Sequence, residues 1–369
     1  MTEKWSKQTK ALWAAINENC RFSEFGDLAS VRSTLAMCRL SPSTWETYAS
    51  SMTKFVQYLT RYSTPISEVT ERTLEAFVCW IATQPTLLRG STVASTISGI
   101  RSCLAEFGNV LDPSAGTAAA LQGYKRLAKS VHTPLVQYEA WNPEWTLSAL
   151  QAVRHLLYNY IAGQPMLPVD YNLLVATMHV TCAQLTFARG ATTSALTLAD
   201  VAVSWNETTR RFTITFGLLK QKRAPHRLPL QTHVEEAASE GPMTEPRHCL
   251  CQFFEAQKQQ GGTPTTLAFT YANGKTMTLD ASVKILVDKF DIHHWQGARL
   301  TGHTVRVGAA TAAVGIGVPL TTVAHMMVHK DLKSTRGYIR HGTPTTHAAT
   351  VFYGHLCPSF PGQQHSARH

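Results

Sequence analysis

The sequence predicts a mostly helical protein with a small β-sheet, an α+β fold in two domains, and three observations carry that expectation. The chain has 369 residues, more than the roughly 250–300 at which a single core stops growing. Apolar residues recur at three- and four-residue intervals through most of it. One segment, 210–216, alternates apolar and polar residues instead, the period of a half-buried strand. With 44% hydrophobic and 16% charged residues, the composition supplies cores and excludes a disordered polyelectrolyte.

Residues 1–39 read as an N-terminal arm and 40–131 as a helical domain. Ser41 is an N-cap with Pro42 at the tolerated first helical position, and Tyr48, Met52, Phe55, Val56 and Leu59 mark one face of the helix that follows. Thr70 opens a second helix carrying Leu74, Phe77, Val78 and Ile81. Thr92, Thr96, Ile97, Ile100 and Leu104 stripe a third. Its polar face, with short hydroxyls and Arg101, suits either a phosphate backbone or solvent. After the break at 109–114, a last run carries Lys125 and Arg126.

The stretch 132–143, with Pro134 and Pro143, reads as a linker. A second domain, 144–342, opens with a helical pattern from Trp145 to Ala188 and then the isolated Arg189. The strand at 210–216 is followed by a return at Arg227–Leu230. Between residues 208 and 234 stand Arg210, Arg211, Lys220, Lys222, Arg223 and Arg227 with no Asp or Glu, a one-signed hairpin suited to neutralising phosphates. The tail, 343–369, contains a short stripe of Ala349, Phe352, Tyr353 and Leu356.

Charge and composition narrow the function classes. A formal net charge of +10 points to a polyanionic partner, nucleic acid or an anionic membrane surface. Eight scattered cysteines suit a reducing compartment. Cys249 and Cys251, one residue apart, lack zinc-knuckle spacing, so they read as core filler and no metal is expected. No apolar window reaches the ~20 residues of a membrane span, and the first residues lack a secretory leader. The expected location is intracellular.

The chemistry lies in the second domain. His303 and Arg306, three apart on one helix, share a face. His329 follows 26 residues after His303, and Tyr338 nine after that. With Arg189 upstream and lysines in the hairpin, this order and spacing resembles the tyrosine recombinases. Asp200, eleven residues past Arg189, and the Gly317-Val318-Pro319 turn agree with the family's pattern. Residues 40–342 are covered by the resemblance. The run from Arg306 to Thr311 is similar in wording to recombinases of eukaryotic mobile elements of the crypton and DIRS type.

The resemblance implies a core-binding domain at 40–131, a catalytic domain at 144–342, and cleavage of double-stranded DNA without metal, ATP or other cofactor. Tyr338 is the nucleophile, Arg189 and Arg306 stabilise phosphate charge, and His303 is the base. His329 hydrogen-bonds a nonbridging oxygen, and Lys220, or alternatively Lys222, protonates the leaving oxygen. It also implies a dimer on one site, a tetramer on paired sites, a tail docking on a neighbouring subunit or on its own domain, and a nuclear location if the host is eukaryotic. A type IB topoisomerase uses a similar residue set, and a noncatalytic DNA-binding descendant is the other alternative. Two positions depart from the family's pattern: Thr192 stands where it has Glu, and Val328 where it has Gly.

Overall fold

The computed structural model describes residues 6–19, 39, 41–106, 108–131, 140–206, 211–218, 230–237, 246–292, 300–329, 331–340 and 347–356. The chain divides into two compact units, Met1–Leu135 and Val136–His369.

The first unit is helical: α1 (Lys7–Asn19), α2 (Pro42–Arg61), α3 (Glu71–Ala82), α4 (Gly90–Glu106) and α5 (Ala115–Val131). Local chemistry sets the starts. Ser41 Oγ accepts from the Thr44 amide at 3.3 Å, and Thr70 with Thr73 closes a capping box. The apolar stripes then meet in one core around Trp45, Phe55, Leu74, Phe77, Ile97 and Leu104. Part of the segment read as an arm belongs to this core. Trp13 packs edge-on against Trp45 with ring centroids 4.7 Å apart, because burying Leu12 and Trp13 removes apolar surface that a free arm would leave in water. Glu71 joins three helices: Arg101 holds its carboxylate through Nε and Nη2, both at 2.7 Å, and Thr117 donates at 2.7 Å.

The second unit begins before the expected boundary at 144. Trp141, placed by sequence in the linker, is fully buried, its indole N–H bonded to Thr146 Oγ1 at 2.8 Å and its amide to the Thr304 carbonyl at 3.0 Å. A Cβ on Gly308 would collide with the Trp141 backbone, so the glycine at 308 is what lets this segment lie against the core.

Helices α6 (Pro143–Ile161) and α7 (Pro168–Thr186) occupy the run from 145 to 188. From Leu173 to Thr186 every residue of α7 is buried, the mark of a central helix. A one-turn helix, α8 (Gly190–Thr193), leads to strands β1 (Val201–Asn206), β2 (Arg211–Leu218) and β3 (Leu230–Ala237). They form an antiparallel sheet in that order, Val201 opposite Phe216 and Leu218 opposite Leu230. The described part of the return strand runs from Leu230, where sequence reading ended it, to Ala237. Helices α9 (Pro246–Gln259), α10 (Leu279–Phe290), α11 (Gly302–Gly315), α12 (Leu320–Met326), α13 (Leu332–Arg336) and α14 (His347–Tyr353) complete the unit. Cys249 and Cys251 are buried in α9, as core residues should be.

The tail helix α14 packs within this unit. Phe352 and Tyr353 are fully buried, Arg247 Nη2 donates to the Phe352 carbonyl at 3.0 Å, and Glu144 accepts from the Ala348 amide at 3.1 Å. Among the described residues, no helix is long and apolar enough to cross a membrane.

Candidate active site

Five of the residues singled out by spacing converge although they span 150 positions. Arg189 caps α8 at the end of the buried helix α7 and is exposed. His303 and Arg306 lie in the first turns of α11, which starts because Thr301 forms a capping box with Thr304. His329 follows α12, and Tyr338 follows α13, whose N-cap Asp331 accepts from the Ser334 amide at 2.7 Å. The Tyr338 ring stands 5.3 Å from that of His303 and 5.1 Å from that of His329. Its centroid lies 5.5 Å from the Arg306 guanidinium carbon.

The nucleophile candidate is held from behind. Thr311, on α11, donates through Oγ1 to the Tyr338 carbonyl at 3.2 Å and accepts from the Arg340 amide at 3.1 Å. The segment carrying Tyr338 is thereby bound to the helix that carries His303 and Arg306.

Arg306 is only 3% exposed, and backbone carbonyls fix its guanidinium. Nη1 donates to the Phe187 carbonyl and Nη2 to that of Met327 at 2.7 Å. Both acceptors adjoin left-handed backbone: Phe187 itself has φ +52° and Val328 has φ +53°. Burial, and then the neighbouring Arg189, bring the Arg306 pKa down to about 10, against a favourable interaction with Tyr338. It stays a cation at neutral pH.

Arg306 Nη2 also lies 3.2 Å from His329 Nε2. A guanidinium can only donate, so Nε2 is the acceptor, and the neutral ring carries its proton on Nδ1, 3.0 Å from Thr335 Oγ1. Burial and the charges of Arg306 and Arg189 hold His329 below the usual histidine range. His303 is lowered too, by burial and then by Arg306, Arg340 and Arg189, with Asp280 acting in the opposite sense. Both imidazoles are neutral at pH 7.

A cavity of about 510 Å³ opens onto Arg189, His303, Arg306, Tyr338 and Asp280. Asp280 was not anticipated from sequence. Its Oδ1 accepts from the Gly302 amide at 2.7 Å, and no local spacing relates it to the other five. Leu279 beside it lies against the turns that carry Arg189 and His303: a Cβ added to Gly190 or Gly302 would meet its side chain at 3.2 or 2.9 Å. Two cations, the His303 imidazole and a phenol around one cavity, with the His329 imidazole in contact with that phenol ring and with Arg306, can hold a phosphodiester and exchange protons with it.

The remaining candidates are distributed differently. Lys220, Lys222, Arg223, Arg227 and Arg210 lie outside the described residues, and Arg211 lies in β2. Lys125 and Arg126 are exposed on α5, whereas Arg101 is engaged with Glu71 inside the first unit. Asp200 accepts from the Thr197 amide and hydroxyl at 2.9 and 2.8 Å, closing the turn before β1. Thr192 donates its amide to the Arg189 carbonyl at 2.8 Å.

Comparison with known proteins bears on the fold. Residues 33–106 match the family described as phage integrase, N-terminal SAM-like domain. No curated protein matches the chain. Among solved structures, XerH site-specific recombinase bound to a palindromic difH substrate, in a post-cleavage complex, is 15% identical over 80% of this chain and 75% of its own, with a TM-score of 0.52. XerH in its pre-cleavage complex with difH is 14% identical over 81% and 76%, with a TM-score of 0.51. The chain thus has the fold of the tyrosine recombinases, a helical N-terminal unit followed by a mostly helical unit with a small sheet.

Proposed function

We propose that this protein is a site-specific DNA recombinase that cuts and rejoins strands through a 3′-phosphotyrosyl intermediate. The observation that carries the reading is the convergence of Tyr338, His303 and Arg306 on one cavity with Arg189 at its wall, and His329 set against Tyr338 and Arg306. Tyr338 Oη attacks the phosphorus while neutral His303 takes its proton. The bond to the 5′ oxygen breaks, and Lys220 or Lys222 from the hairpin protonates that oxygen. Arg189 and Arg306 stabilise the extra charge on the equatorial oxygens. The energy of the broken phosphodiester is kept in the phosphotyrosyl bond, so rejoining by a 5′ hydroxyl requires neither ATP nor metal.

The fixed Arg306 is suited to this work because its carbonyl partners hold the guanidinium in place before DNA arrives, leaving little reorganisation at the moment of reaction. Phosphate binding beside His329 would favour its charged form and turn Nε2 from an acceptor for Arg306 into a donor for a nonbridging oxygen. Exposed Lys125 and Arg126, with the basic hairpin, supply phosphate contacts. Assembly is a dimer on one site and a tetramer on two, and the source is a mobile element.

The test is covalent capture. The protein is incubated with a randomised pool of nicked duplexes, denatured, and the DNA-linked peptide sequenced. Attachment of a 3′ phosphate to Tyr338 is the expected result; attachment elsewhere, or dependence of attachment on divalent metal, overturns the mechanism. The recovered sequences define the duplex used in the experiments below.

A further inference from the structure

His179 lies in the middle of α7, fully buried, and no step of the proposed reaction uses it. Its ring stacks on Phe269, centroids 4.3 Å apart and planes 9° from parallel. Each nitrogen meets a hydroxyl from a different element: Nε2 is 3.0 Å from Thr193 Oγ1 on α8, and Nδ1 is 2.9 Å from Ser282 Oγ on α10.

These two hydroxyls lead to the two sides of the active site. Thr193 closes the turn that Arg189 caps: its amide donates to the Arg189 carbonyl at 3.1 Å and its hydroxyl to that of Gly190 at 3.2 Å. Ser282 stands on the same first turns of α10 as Asp280, which accepts from the Gly302 amide next to His303. Leu279, between them, fills the space that side chains at Gly190 and Gly302 would need.

We propose that His179 is a positioning residue that fixes the spacing of Arg189 and His303, by tying the Arg189 turn and the N-terminus of α10 to one rigid ring. This rests on the roles given above to Arg189 and His303. A neutral imidazole donates from one nitrogen and accepts at the other, so the ring bonds both hydroxyls, each of which also faces a backbone carbonyl, Thr193 that of Gly190 at 3.2 Å and Ser282 that of Thr278 at 3.3 Å. Burial keeps the ring neutral, its pKa drawn down to about 3. The link is therefore a pair of directional hydrogen bonds, unaffected by pH in the working range, joining two catalytic arms that are otherwise far apart in sequence.

Thr193→Val and Ser282→Ala separate the arms, and His179→Gln, whose amide reaches the Nε2 position, retains the Thr193 arm alone. Two readouts are used on the full chain. In hydrogen exchange without DNA, Thr193→Val should speed exchange at the amides of Thr192 and Thr193 and leave that of Gly302 unchanged. Ser282→Ala and His179→Gln should do the reverse. On the captured duplex, Thr193→Val should slow cleavage by about 10- to 100-fold, the scale of displacing a reacting group by up to an ångström. That defect should shrink towards unity when the scissile phosphate is a methylphosphonate, which lacks the charge that Arg189 serves. General loosening would not be relieved by a change in the substrate.

The proposal is overturned if either hydroxyl variant speeds exchange in both arms alike, or in neither. It is also overturned if the Thr193→Val defect persists on the methylphosphonate while that of Arg189→Ala shrinks. If Arg189→Ala itself is not relieved there, the role of Arg189 in the proposed function fails instead, and hydrogen exchange alone decides for or against His179.

Discussion

Arg306 donates to the carbonyl of Met327 at 2.7 Å, and the next residue, Val328, takes a left-handed φ of +53°. A β-branched side chain in that region costs about 1–3 kcal/mol. The strain is sustained because the turn must present one carbonyl to the guanidinium and then deliver His329 beside it.

Val328→Gly should therefore stabilise the protein even though glycine loses more chain entropy on folding, a cost of roughly 0.5–1 kcal/mol. Val328 is 37% exposed, so little packing is lost. The expected gain of about 1 kcal/mol corresponds to a Tm rise of roughly 2–4 °C. A fall in Tm in calorimetry would show that the side chain contributes more than its backbone costs.

Tyr338→Phe should bind the captured duplex as the parent does and form no covalent adduct. Tyr353→Phe should cleave normally. The Tyr353 hydroxyl is fully buried and has no hydrogen-bond partner among the described residues, and burial raises its pKa far above the ordinary phenol value. Its removal should leave stability unchanged or raise it by about 1 kcal/mol. An adduct that survives Tyr338→Phe and disappears with Tyr353→Phe would exchange the two roles.

The two arginines should separate when cleavage and stability are measured together. Arg189→Ala and Arg306→Ala should each lower single-turnover cleavage by roughly 10² or more. Arg189 is exposed, and its loss should leave Tm nearly unchanged. Arg306→Ala should lower Tm as well, because the Phe187 and Met327 carbonyls lose a donor in the interior at about 1–3 kcal/mol each.

Cleavage should rise with pH through a midpoint below 6.5 and be level at neutral pH, since burial and three arginines favour the neutral form of His303. For the same reason the unfolded chain binds more protons than the folded one just below pH 6.5. Stability should then fall as pH drops through the window between 6.5 and the lowered values of His303 and His329. A cleavage midpoint above 6.5 would remove His303 as the base. His303→Gln should abolish the acid limb.

Glu71→Gln should destabilise the first unit by about 1–3 kcal/mol, because Arg101 loses a partly buried counter-charge. Burial raises the Glu71 pKa, but Arg101, Thr117 and the Ser114 amide outweigh it and the net shift is downward. Its contribution should be complete above pH 4.5 and disappear as pH falls through the lowered value, readable by urea titration of the parent and variant across that range.

Spacing along single helices was enough to expect the bundle of the first unit and to put His303 and Arg306 on one face, because helical period and capping residues are local properties of the chain, whereas His329 and Tyr338 were singled out by an order and spacing that resembles the tyrosine recombinases. Segments whose fate depends on a distant partner were not legible in this way. Leu12 and Trp13 read as part of an arm until Trp45 is there to receive them, and β1 becomes a strand only by pairing with β2. Trp141 read as linker because its partners, Thr304 and Gly308, lie more than 160 residues away. Arg101 was a candidate for phosphate contact on its own helix face, and only the fold brings Glu71 to it. Sequence alone determined which chemical groups are present and in what order. The tertiary structure decided their company, bringing Asp280 beside His303, clamping Arg306 between carbonyls, and setting His179 between Thr193 and Ser282, since hydrogen bonds and burial act over a few ångströms of space regardless of separation along the chain.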